Sequence, residues 1–441
     1  MSDRRDIRNK KNKIRYARRK PTKNERDIMS YEDMPLDDYE QEKTEISPAA
    51  VKKIIVGVCI ALAAGLMVFA FANRDKLTWD NISTWWTYDV LGNAGHGYPV
   101  NIVGSEVSQG NFSVSQGHVA YSSDTSFVTL NSSGSEIANF QLRHSTPVMK
   151  SSGNRFLTYG IDTKDFEVNS IDKNLFKGEA EGNIYTGDIT SNGTYCIVTE
   201  GSGYLSVMYV FNSNNNRIYK YYFSEYYITS VSLKSDGSGC VACGFTTDNG
   251  AMLTGIYMLD FDKSDPVSIY KIPDDGAIDC KFLNNDRAVV IGQTASYIIK
   301  VGDKDYITDS YNDKSLANYC INPDNSTYTL ALSRSGDGRS VELAGYNDKG
   351  ENTYKISTDY KADSISVFKG TVAILDGNVV YGYNQNGKLL YTANVGTGSK
   401  KIILTSDKHA YILSVNQVRF IDLSNTSTDD TAHRTNSGED K

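Results

Sequence analysis

The sequence predicts an all-β protein, a β-propeller of eight four-stranded blades, preceded by one transmembrane helix and a disordered tail. From Tyr98 onward, short segments rich in Val, Ile, Tyr, Phe and Thr alternate with Asn-Gly, Asp-Gly and Ser-Gly turns, a pattern typical of antiparallel hairpins. One such turn recurs along the chain at the spacing of a propeller blade. Upstream of this region lies a run of 19 residues without a charge.

The first 50 residues are expected to be a disordered cytoplasmic tail. Residues 1–26 contain 12 Lys or Arg and three acidic residues, whereas residues 27–45 contain eight acidic residues and one lysine. Such charged segments bury too little apolar surface to fold. Beyond residue 53 the chain has 31 basic and 42 acidic residues, so it carries no electrostatic footprint for nucleic acid.

Residues 51–72 are predicted to be the transmembrane helix. The uncharged run Ile54–Ala72 spans roughly 28 Å as a helix, close to the hydrocarbon thickness of a bilayer. A cleaved signal peptide is the alternative, because Ala70-Phe71-Ala72 has the small-x-small pattern of a cleavage site. The long preceding tail and the length of the run favour an uncleaved anchor.

The excess of Lys and Arg before this helix predicts its orientation. Basic residues beside a spanning helix stay in the cytoplasm and are attracted to anionic membrane lipid. We therefore expect a single-pass protein of the cell membrane with its N-terminus in the cytoplasm and its C-terminal domain outside. Gly57, Ala61 and Gly65 recur every four residues, which favours close helix packing and predicts weak homodimerisation through that face.

Residues 73–97 form an aromatic juxtamembrane segment with all three tryptophans of the chain, Trp79, Trp85 and Trp86. The pattern predicts a short helix whose tryptophans anchor in the headgroup region of the membrane. Packing against the following domain is the alternative. Asn93–Gly97 is expected to be a flexible break, since it is rich in glycine.

Residues 98–423 are predicted to be the propeller. Ser191–Thr199 and Ser235–Cys243 align without gaps, and each places a turn before a strand. Eight first strands are expected, and they lie near Phe112, Val148, Ile184, Ile228, Ile278, Tyr319, Ile365 and Ile402. Their mean spacing is about 41 residues, the length of a four-stranded blade. A solenoid and a sandwich are the alternative folds.

The last unit shows only three strands, so we expect Tyr98–Val103 to supply its fourth strand and to close the ring. Closure by strands from both ends removes an exposed sheet edge. Residues 424–441 are polar and are expected to be a disordered C-terminal tail.

The first two units carry the motifs of a known group of proteins. These motifs are Gly97-Tyr-Pro-Val100, Gly104-Ser105, Gly110-Asn-Phe112, Ser123-Asp-Thr-Ser126, Leu130-Asn131, Gly134 and Pro147-Val-Met-Lys150. The chain resembles an uncharacterised family of membrane-anchored β-propeller proteins from Clostridia-type Gram-positive bacteria. That resemblance implies a bacterial envelope protein with one anchor helix and a WD40-like propeller outside the cell, and it implies no catalytic residues.

The pattern of cysteines favours buried thiols over a disulfide framework. Five cysteines lie in the propeller region, an odd number spread over a long stretch. Cys240 and Cys243 have the spacing of a redox motif, but residues three apart on a strand point to opposite faces. We therefore expect this pair neither to close on itself nor to share a metal.

No catalytic, cofactor-binding or metal-binding constellation is recognisable, so the protein is expected to be non-enzymatic and without a cofactor. The histidines do not stand at metal-ligand spacing, and no Gly-x-Ser-x-Gly motif occurs. Asp260, Asp262 and Asp265 share one turn, where a solvated turn is favoured over a calcium site because the glycine and distal glutamate of an EF-hand loop are missing.

A tyrosine cluster is the best candidate for partner binding, because exposed aromatic residues stack on sugars and anchor protein partners. Its members are Tyr219, Tyr221, Tyr222, Tyr226 and Tyr227. Packing between blades is the alternative. We expect the propeller to act as a scaffold or sensor that binds an envelope protein or glycan. The alternative function is an extracytoplasmic hydrolase with its site in the central channel.

Overall fold

A computed structural model describes residues 48–72, 82–83, 85–91, 95–142, 144, 146–334, 336 and 338–425. Within these ranges, side chains are described from residue 56 onward except at 70–72 and 425. Most of the two predicted tails, 1–50 and 424–441, lies outside the described residues, and so does Trp79. The chain divides into two units, Met1–Ala72 and Asn73–Lys441.

The first unit contains one helix, α1, Pro48–Ala72. It begins three residues before the predicted start at residue 51, because proline is well tolerated in the first turn of a helix, where its missing N–H is not needed. The side chains described along α1, such as Leu66 and Val68, are exposed. In the part of the chain that the structure describes, no helix is both long enough and apolar enough to cross a membrane.

The second unit is an eight-bladed β-propeller with four-stranded antiparallel blades, which confirms the predicted fold and blade number. Strands are lettered A to D from the centre outward, and the A strands of neighbouring blades contact one another around a central channel. Each of the eight predicted first strands is an A strand. A helical segment that includes a π-helical turn at Trp86–Val90 precedes the ring, and 3₁₀ turns lie at Gln109–Asn111, Pro323–Asn325 and Leu423–Asn425.

The first four blades are, from A to D, as follows. Blade 1 contains β2 (Phe112–Ser115), β3 (His118–Ser122), β4 (Ser126–Leu130) and β5 (Glu136–Gln141). Blade 2 contains β6 (Pro147–Ser152), β7 (Arg155–Gly160), β8 (Asp165–Ser170) and β9 (Asn174–Glu179). Blade 3 contains β10 (Ile184–Ile189), β11 (Tyr195–Gly201), β12 (Tyr204–Phe211) and β13 (Arg217–Phe223). Blade 4 contains β14 (Tyr227–Leu233), β15 (Gly239–Asp248), β16 (Ala251–Asp260) and β17 (Ser268–Pro273).

The next three blades repeat this order. Blade 5 contains β18 (Ala277–Asn284), β19 (Arg287–Gly292), β20 (Ala295–Lys300) and β21 (Tyr306–Ser310). Blade 6 contains β22 (Ser315–Asn322), β23 (Thr327–Ser333), β24 (Val341–Asn347) and β25 (Asn352–Ser357). Blade 7 contains β26 (Ser364–Phe368), β27 (Thr371–Asp376), β28 (Val379–Asn384) and β29 (Leu389–Asn394).

Blade 8 closes the ring with strands from both ends of the propeller. Its strands A to C are β30 (Ser399–Leu404), β31 (His409–Ser414) and β32 (Gln417–Asp422), and its D strand is β1 (Val100–Asn101). Val100 pairs with Val418, and the Ile102 N–H donates to the Asn416 carbonyl at 2.9 Å. The predicted closure is confirmed, although β1 is shorter than the predicted Tyr98–Val103 because only two of its residues form ladder pairs.

The hydrophobic core lies in layers between neighbouring blades, because both faces of each sheet are covered. The layer between blades 3 and 4, for example, packs Met208 and Val210 against Cys240 and Leu259. Polar side chains of the A strands fasten the blades nearer the channel. The Ser230 and Ser232 hydroxyls of blade 4 accept N–H groups of blade 5 at 3.2 Å each.

The ring has two faces, which we name by their turns. The B–C face carries the hairpins between B and C strands and the passages from each D strand to the next A strand. The C–D face carries the A–B and C–D turns. Both ends of this scaffold present loops, where binding residues commonly lie.

Candidate functional site

Five large exposed side chains of blades 3 and 4 lie at or near strand ends on the B–C face, and we call them the B–C patch. Each lies at the end of a strand that reaches this face, and each is between 40% and 46% exposed. The patch comprises Tyr204, Tyr222, Tyr227, Phe245 and Met252. Single exposed apolar residues are normal, whereas a group on one face is typical of an interaction site.

Blade 3 supplies a tyrosine pair with a lysine beside it. The rings of Tyr204 and Tyr222 lie 4.6 Å apart at an angle of 39°. The Lys220 ammonium lies 4.9 Å from the centre of the Tyr222 ring, within the range of a cation–π interaction. Tyr222 is also the largest cause that raises the pKa of Lys220. The pair therefore presents two aromatic faces next to a positive charge.

Glu181 contacts two residues next to the Tyr204–Tyr222 pair. Its carboxylate accepts the Tyr209 hydroxyl at 2.7 Å and lies 3.4 Å from the Lys220 ammonium. The hydrogen bond from Tyr209 is the largest cause that lowers the pKa of Glu181. The Glu181 carboxylate, which stays largely exposed, therefore adds a negative charge beside the Lys220 ammonium.

Blade 4 supplies the rest of the patch through its long B–C hairpin. β15 and β16 have ten residues each, and the hairpin pairs residues as far as Asp248 and Ala251. Phe245 lies 6.4 Å from Tyr227, with which it is paired in register. Sequence reasoning missed Tyr204, Phe245 and Met252. The length of this hairpin was a signal that could have indicated Phe245 and Met252.

The five predicted tyrosines divide between the patch and the core. Tyr222 and Tyr227 are exposed on the B–C face. Tyr219 and Tyr221 lie on the opposite side of β13, as alternation predicts, and pack against the core between blades 3 and 4. Burial raises the pKa of Tyr219 to about 12. The second pair therefore belongs to blade packing.

The prediction that Tyr226 is a surface anchor is wrong, because this residue is only 1% exposed. Its ring lies against Gly255 of β16, where a Cβ atom would fall 2.6 Å from ring carbons. It also packs edge-to-face against Tyr257 at 5.8 Å. The glycine makes room for the ring, and Tyr226 is a buried link between strands of blade 4.

The linker before the ring docks on the C–D face. Asn131 donates an amide N–H to the Tyr88 carbonyl at 3.0 Å, and the Tyr88 hydroxyl donates to Asp172 at 3.2 Å. The Asp89 carboxylate accepts the Ser132 hydroxyl at 2.6 Å. The predicted alternative of packing against the propeller therefore holds for this part of the linker.

Two further features of the linker bear on the predictions. Gly95 and Gly97 donate N–H groups to Ser133, so the described part of the expected flexible break is held in place. Trp85 and Trp86 are about half exposed, with ring centres 6.2 Å apart. Their predicted insertion into a membrane interface stays a prediction.

The channel contains carboxylates, but each is bound by neighbouring residues. Asp188 is buried, accepts the Leu233 N–H at 2.8 Å and lies 3.3 Å from the Lys281 ammonium. Asp279 accepts the Ser230 hydroxyl at 2.8 Å and the Tyr319 hydroxyl at 3.1 Å. These bonds connect A strands of different blades, so both carboxylates serve to hold the ring.

A histidine–aspartate pair lies near serines on the C–D side. Nε2 of His118 lies 2.7 Å from the Asp89 carboxylate, and Ser115 is its cross-strand neighbour. In a Ser-His-Asp triad, the second ring nitrogen hydrogen-bonds the serine hydroxyl. Among the residues that the structure describes, none hydrogen-bonds the buried Nδ1 of His118. In that part of the chain the pair is therefore a docking contact for the linker.

Among the described residues, no group of three or more His, Cys, Asp or Glu side chains is placed to hold a metal ion. Asp260, on the turn considered for calcium, accepts the Asp262 N–H at 3.1 Å and pairs with Lys263 at 3.4 Å. The backbone hydrogen bond from Asp262 is the largest cause that lowers the pKa of Asp260.

Residues 100–423 match the family of unknown function DUF5711. The chain belongs to this family. The match begins with β1 and ends after β32, so it covers the closed ring together with the B–C patch. Helix α1 and the docked linker precede the matched range.

Solved structures resemble this DUF5711 ring in fold alone. BamB from Moraxella catarrhalis is 11% identical with a TM-score of 0.44, and the match covers 75% of this chain and 95% of that one. A eukaryotic initiation factor is 11% identical with a TM-score of 0.48, covering 75% and 89%. Apo AztD from Citrobacter koseri is 10% identical with a TM-score of 0.48, covering 67% and 88%. A search of curated proteins gives no match.

Proposed function

We propose that this DUF5711 protein is a membrane-anchored, non-enzymatic scaffold or sensor whose propeller binds an envelope protein or glycan through the B–C patch. The observation that carries the proposal is the group of five exposed apolar side chains on one face of a rigid ring. Tyrosine rings combine a large apolar surface with a polar hydroxyl, which suits contact with both proteins and sugars.

The channel carboxylates are bonded to neighbouring blades, which supports a binding function over hydrolysis. A glycoside hydrolase needs two carboxyl groups that face the same bond of the substrate. Asp188 and Asp279 instead bond groups on neighbouring blades. The hydrolase alternative has no comparable support among the described residues.

The membrane anchor and the location outside the cytoplasm are part of the same proposal. They rest on the uncharged run Ile54–Ala72, which lies within α1, and on the excess of Lys and Arg before it. In wall-free intact cells, added protease should digest the propeller and spare an N-terminal tag. A protected propeller would contradict this topology.

Photo-crosslinking tests the binding site. A photoreactive amino acid at position 222 of the full chain should capture a partner in cells, and the doubly substituted Tyr204→Ala, Tyr222→Ala protein should lose affinity about tenfold or more, as expected for aromatic anchors. Ile307 on β21 is the matched control, since it is 52% exposed on another blade. Equal capture at 222 and 307 would contradict the site.

A further inference from the structure

The thiols of blade 4 each face a neighbouring blade that also carries a thiol. Cys240 and Cys243 point to opposite sides of β15, as strand alternation requires. Cys240 lies in the core between blades 3 and 4, which also contains Cys196. Cys243 lies in the core between blades 4 and 5, which also contains Cys280. All four thiols are free and buried.

Cys243 and Cys280 meet around one serine. Cys243 is the register partner of Ser230 on the neighbouring strand. The Ser230 hydroxyl accepts the Cys280 N–H at 3.2 Å, and the Cys280 sulfur lies 3.5 Å from the same hydroxyl oxygen. The Cys280 sulfur also lies 3.7 Å from the carbonyl of Val241, two residues from Cys243.

The two sulfurs therefore adjoin across the boundary between blades 4 and 5. Contact with the Cys280 thiol is the largest cause that raises the pKa of Cys243 well above its ordinary value. The other thiol of β15 is placed differently, because the Cys240 sulfur contacts the Met208 sulfur at 3.7 Å. Cys240 therefore contacts a thioether, whereas Cys243 faces a second thiol.

We propose that Cys243 and Cys280 form a disulfide that cross-links blades 4 and 5 when the chain folds in the presence of a small disulfide oxidant. One thiolate attacks the oxidant, such as oxidised glutathione, and releases one glutathione. The second thiolate displaces the other glutathione from the mixed disulfide. The two thiols are oxidised, one disulfide is reduced to two thiols, and the two cysteine protons go to the departing glutathiones.

Burial determines at which stage of folding this reaction can take place. The thiolate is the reactive form, and a raised pKa together with burial keeps the Cys243 thiol protonated in the folded ring. Exchange is therefore fast only before blade 5 has docked on blade 4. The disulfide should form during folding and should form very slowly in a protein that folded under reducing conditions.

Peptide mapping of the refolded full chain tests the proposal. Trypsin cleaves after Lys234 and Lys263 and after Lys271 and Lys281, which places Cys240 with Cys243 in one peptide and Cys280 in another. The chain is denatured with reductant, refolded in detergent with oxidised glutathione, blocked with N-ethylmaleimide and digested without reductant. The two peptides should then be recovered as one linked species.

Two matched variants assign the bond. The linked species should persist in Cys240→Ser and disappear in Cys243→Ser and in Cys280→Ser. The cross-linked protein should also melt on the order of 5 °C higher than the same sample after reduction, because the bond restricts the unfolded chain. Absence of the linked species after refolding, or its persistence in Cys243→Ser, would overturn the proposal.

Discussion

Asp89 of the linker and His118 of blade 1 are joined by a hydrogen bond of 2.7 Å between Oδ2 and Nε2. His118 is buried, and the Asp89 side chain is only 10% exposed. The same carboxylate accepts the Ser132 hydroxyl. One side chain thus connects the chain that enters the ring to both the first hairpin and the C–D turn of blade 1.

Replacement of this carboxylate should release the linker. In Asp89→Ala, the buried Nε2 of His118 loses its partner, which should lower the free energy of unfolding by about 1–3 kcal/mol. Urea denaturation measures that loss, and hydrogen exchange should accelerate at residues 85–91 and 95–97. Asp305→Ala is the control, since Asp305 is exposed. Unchanged exchange in the linker would show that Asp89 does not hold it.

Closure of blade 8 should contribute strongly to stability. Removal of β1 exposes the edge of β32, and loss of Tyr98 uncovers Tyr411 and Phe420, whose rings it contacts at 5.2 and 6.4 Å. A domain that begins at residue 106 should therefore melt several degrees below one that begins at residue 96, or aggregate. Thermal denaturation with light scattering measures both effects. Coincident melting curves would contradict this role.

The stability of the ring should depend on pH through Lys401, which connects blade 8 to blade 1. Its ammonium donates to the carbonyls of Gln109 and Phe112 at 2.7 and 3.1 Å. Burial lowers the pKa of Lys401 to about 8, below its ordinary value of 10.5. Above pH 8 the unfolded chain then binds more protons than the folded protein, so stability from this group rises with pH.

Comparison with Lys401→Met isolates this contribution. The free energy of unfolding should rise more between pH 7 and pH 9 in the native sequence than in Lys401→Met. Buried Cys and Tyr groups oppose the rise at higher pH, because their pKa values are raised in the fold, but they are the same in both proteins. Parallel pH profiles would show that Lys401 does not titrate in this range.

The ring was predictable from the sequence because its signals are local. Each A strand follows a passage between blades and begins a hairpin whose turn residues tolerate the required backbone, as at Gly193 and Gly237, both with positive φ. The C–D turns contain a second repeat, an asparagine at the start of the turn, which the sequence analysis did not identify. Asn212, Asn347 and Asn384 each accept two backbone N–H groups within their own turn.

The exposure of individual tyrosines was not predictable, because it depends on contacts between distant strands. Tyr226 and Tyr227 are adjacent in sequence, yet only the Tyr226 ring packs against a glycine, Gly255, on a strand of the same blade. The same limit applies to the thiols. Alternation along β15 shows that Cys240 and Cys243 diverge, but only the packing of whole blades places Cys243 beside Cys280.

Self-association of α1 is testable with its small residues. A Cβ atom added at Gly57 or Gly65 meets no other described atom within 4 Å. The double substitution Gly57→Leu, Gly65→Leu should abolish dimerisation in a membrane two-hybrid assay, because bulky residues prevent close helix approach. Ala63→Leu, on the other side of the helix, should leave it intact. No self-association of the native helix would contradict the pairing.

Replacement by alanine should lower the free energy of unfolding much more at Tyr226 than at Tyr222. Tyr226→Ala removes a buried ring from between Tyr257 and Gly255 and should lower the free energy of unfolding by about 3–5 kcal/mol. Tyr222→Ala removes an exposed ring and should change it by about 1 kcal/mol or less, the worth of its contact with Tyr204.

Partner capture should depend on Tyr222 more than on Tyr226. The two variants therefore separate a role in packing from a role in binding. Chemical denaturation gives the stabilities, and photo-crosslinking in cells gives the capture. Tyr222→Ala should weaken capture in a fully folded ring, since its ring is 45% exposed on the B–C face and is the proposed anchor. A large loss of stability in Tyr222→Ala would show that this ring is structural, and unchanged capture would place the binding surface elsewhere on the propeller.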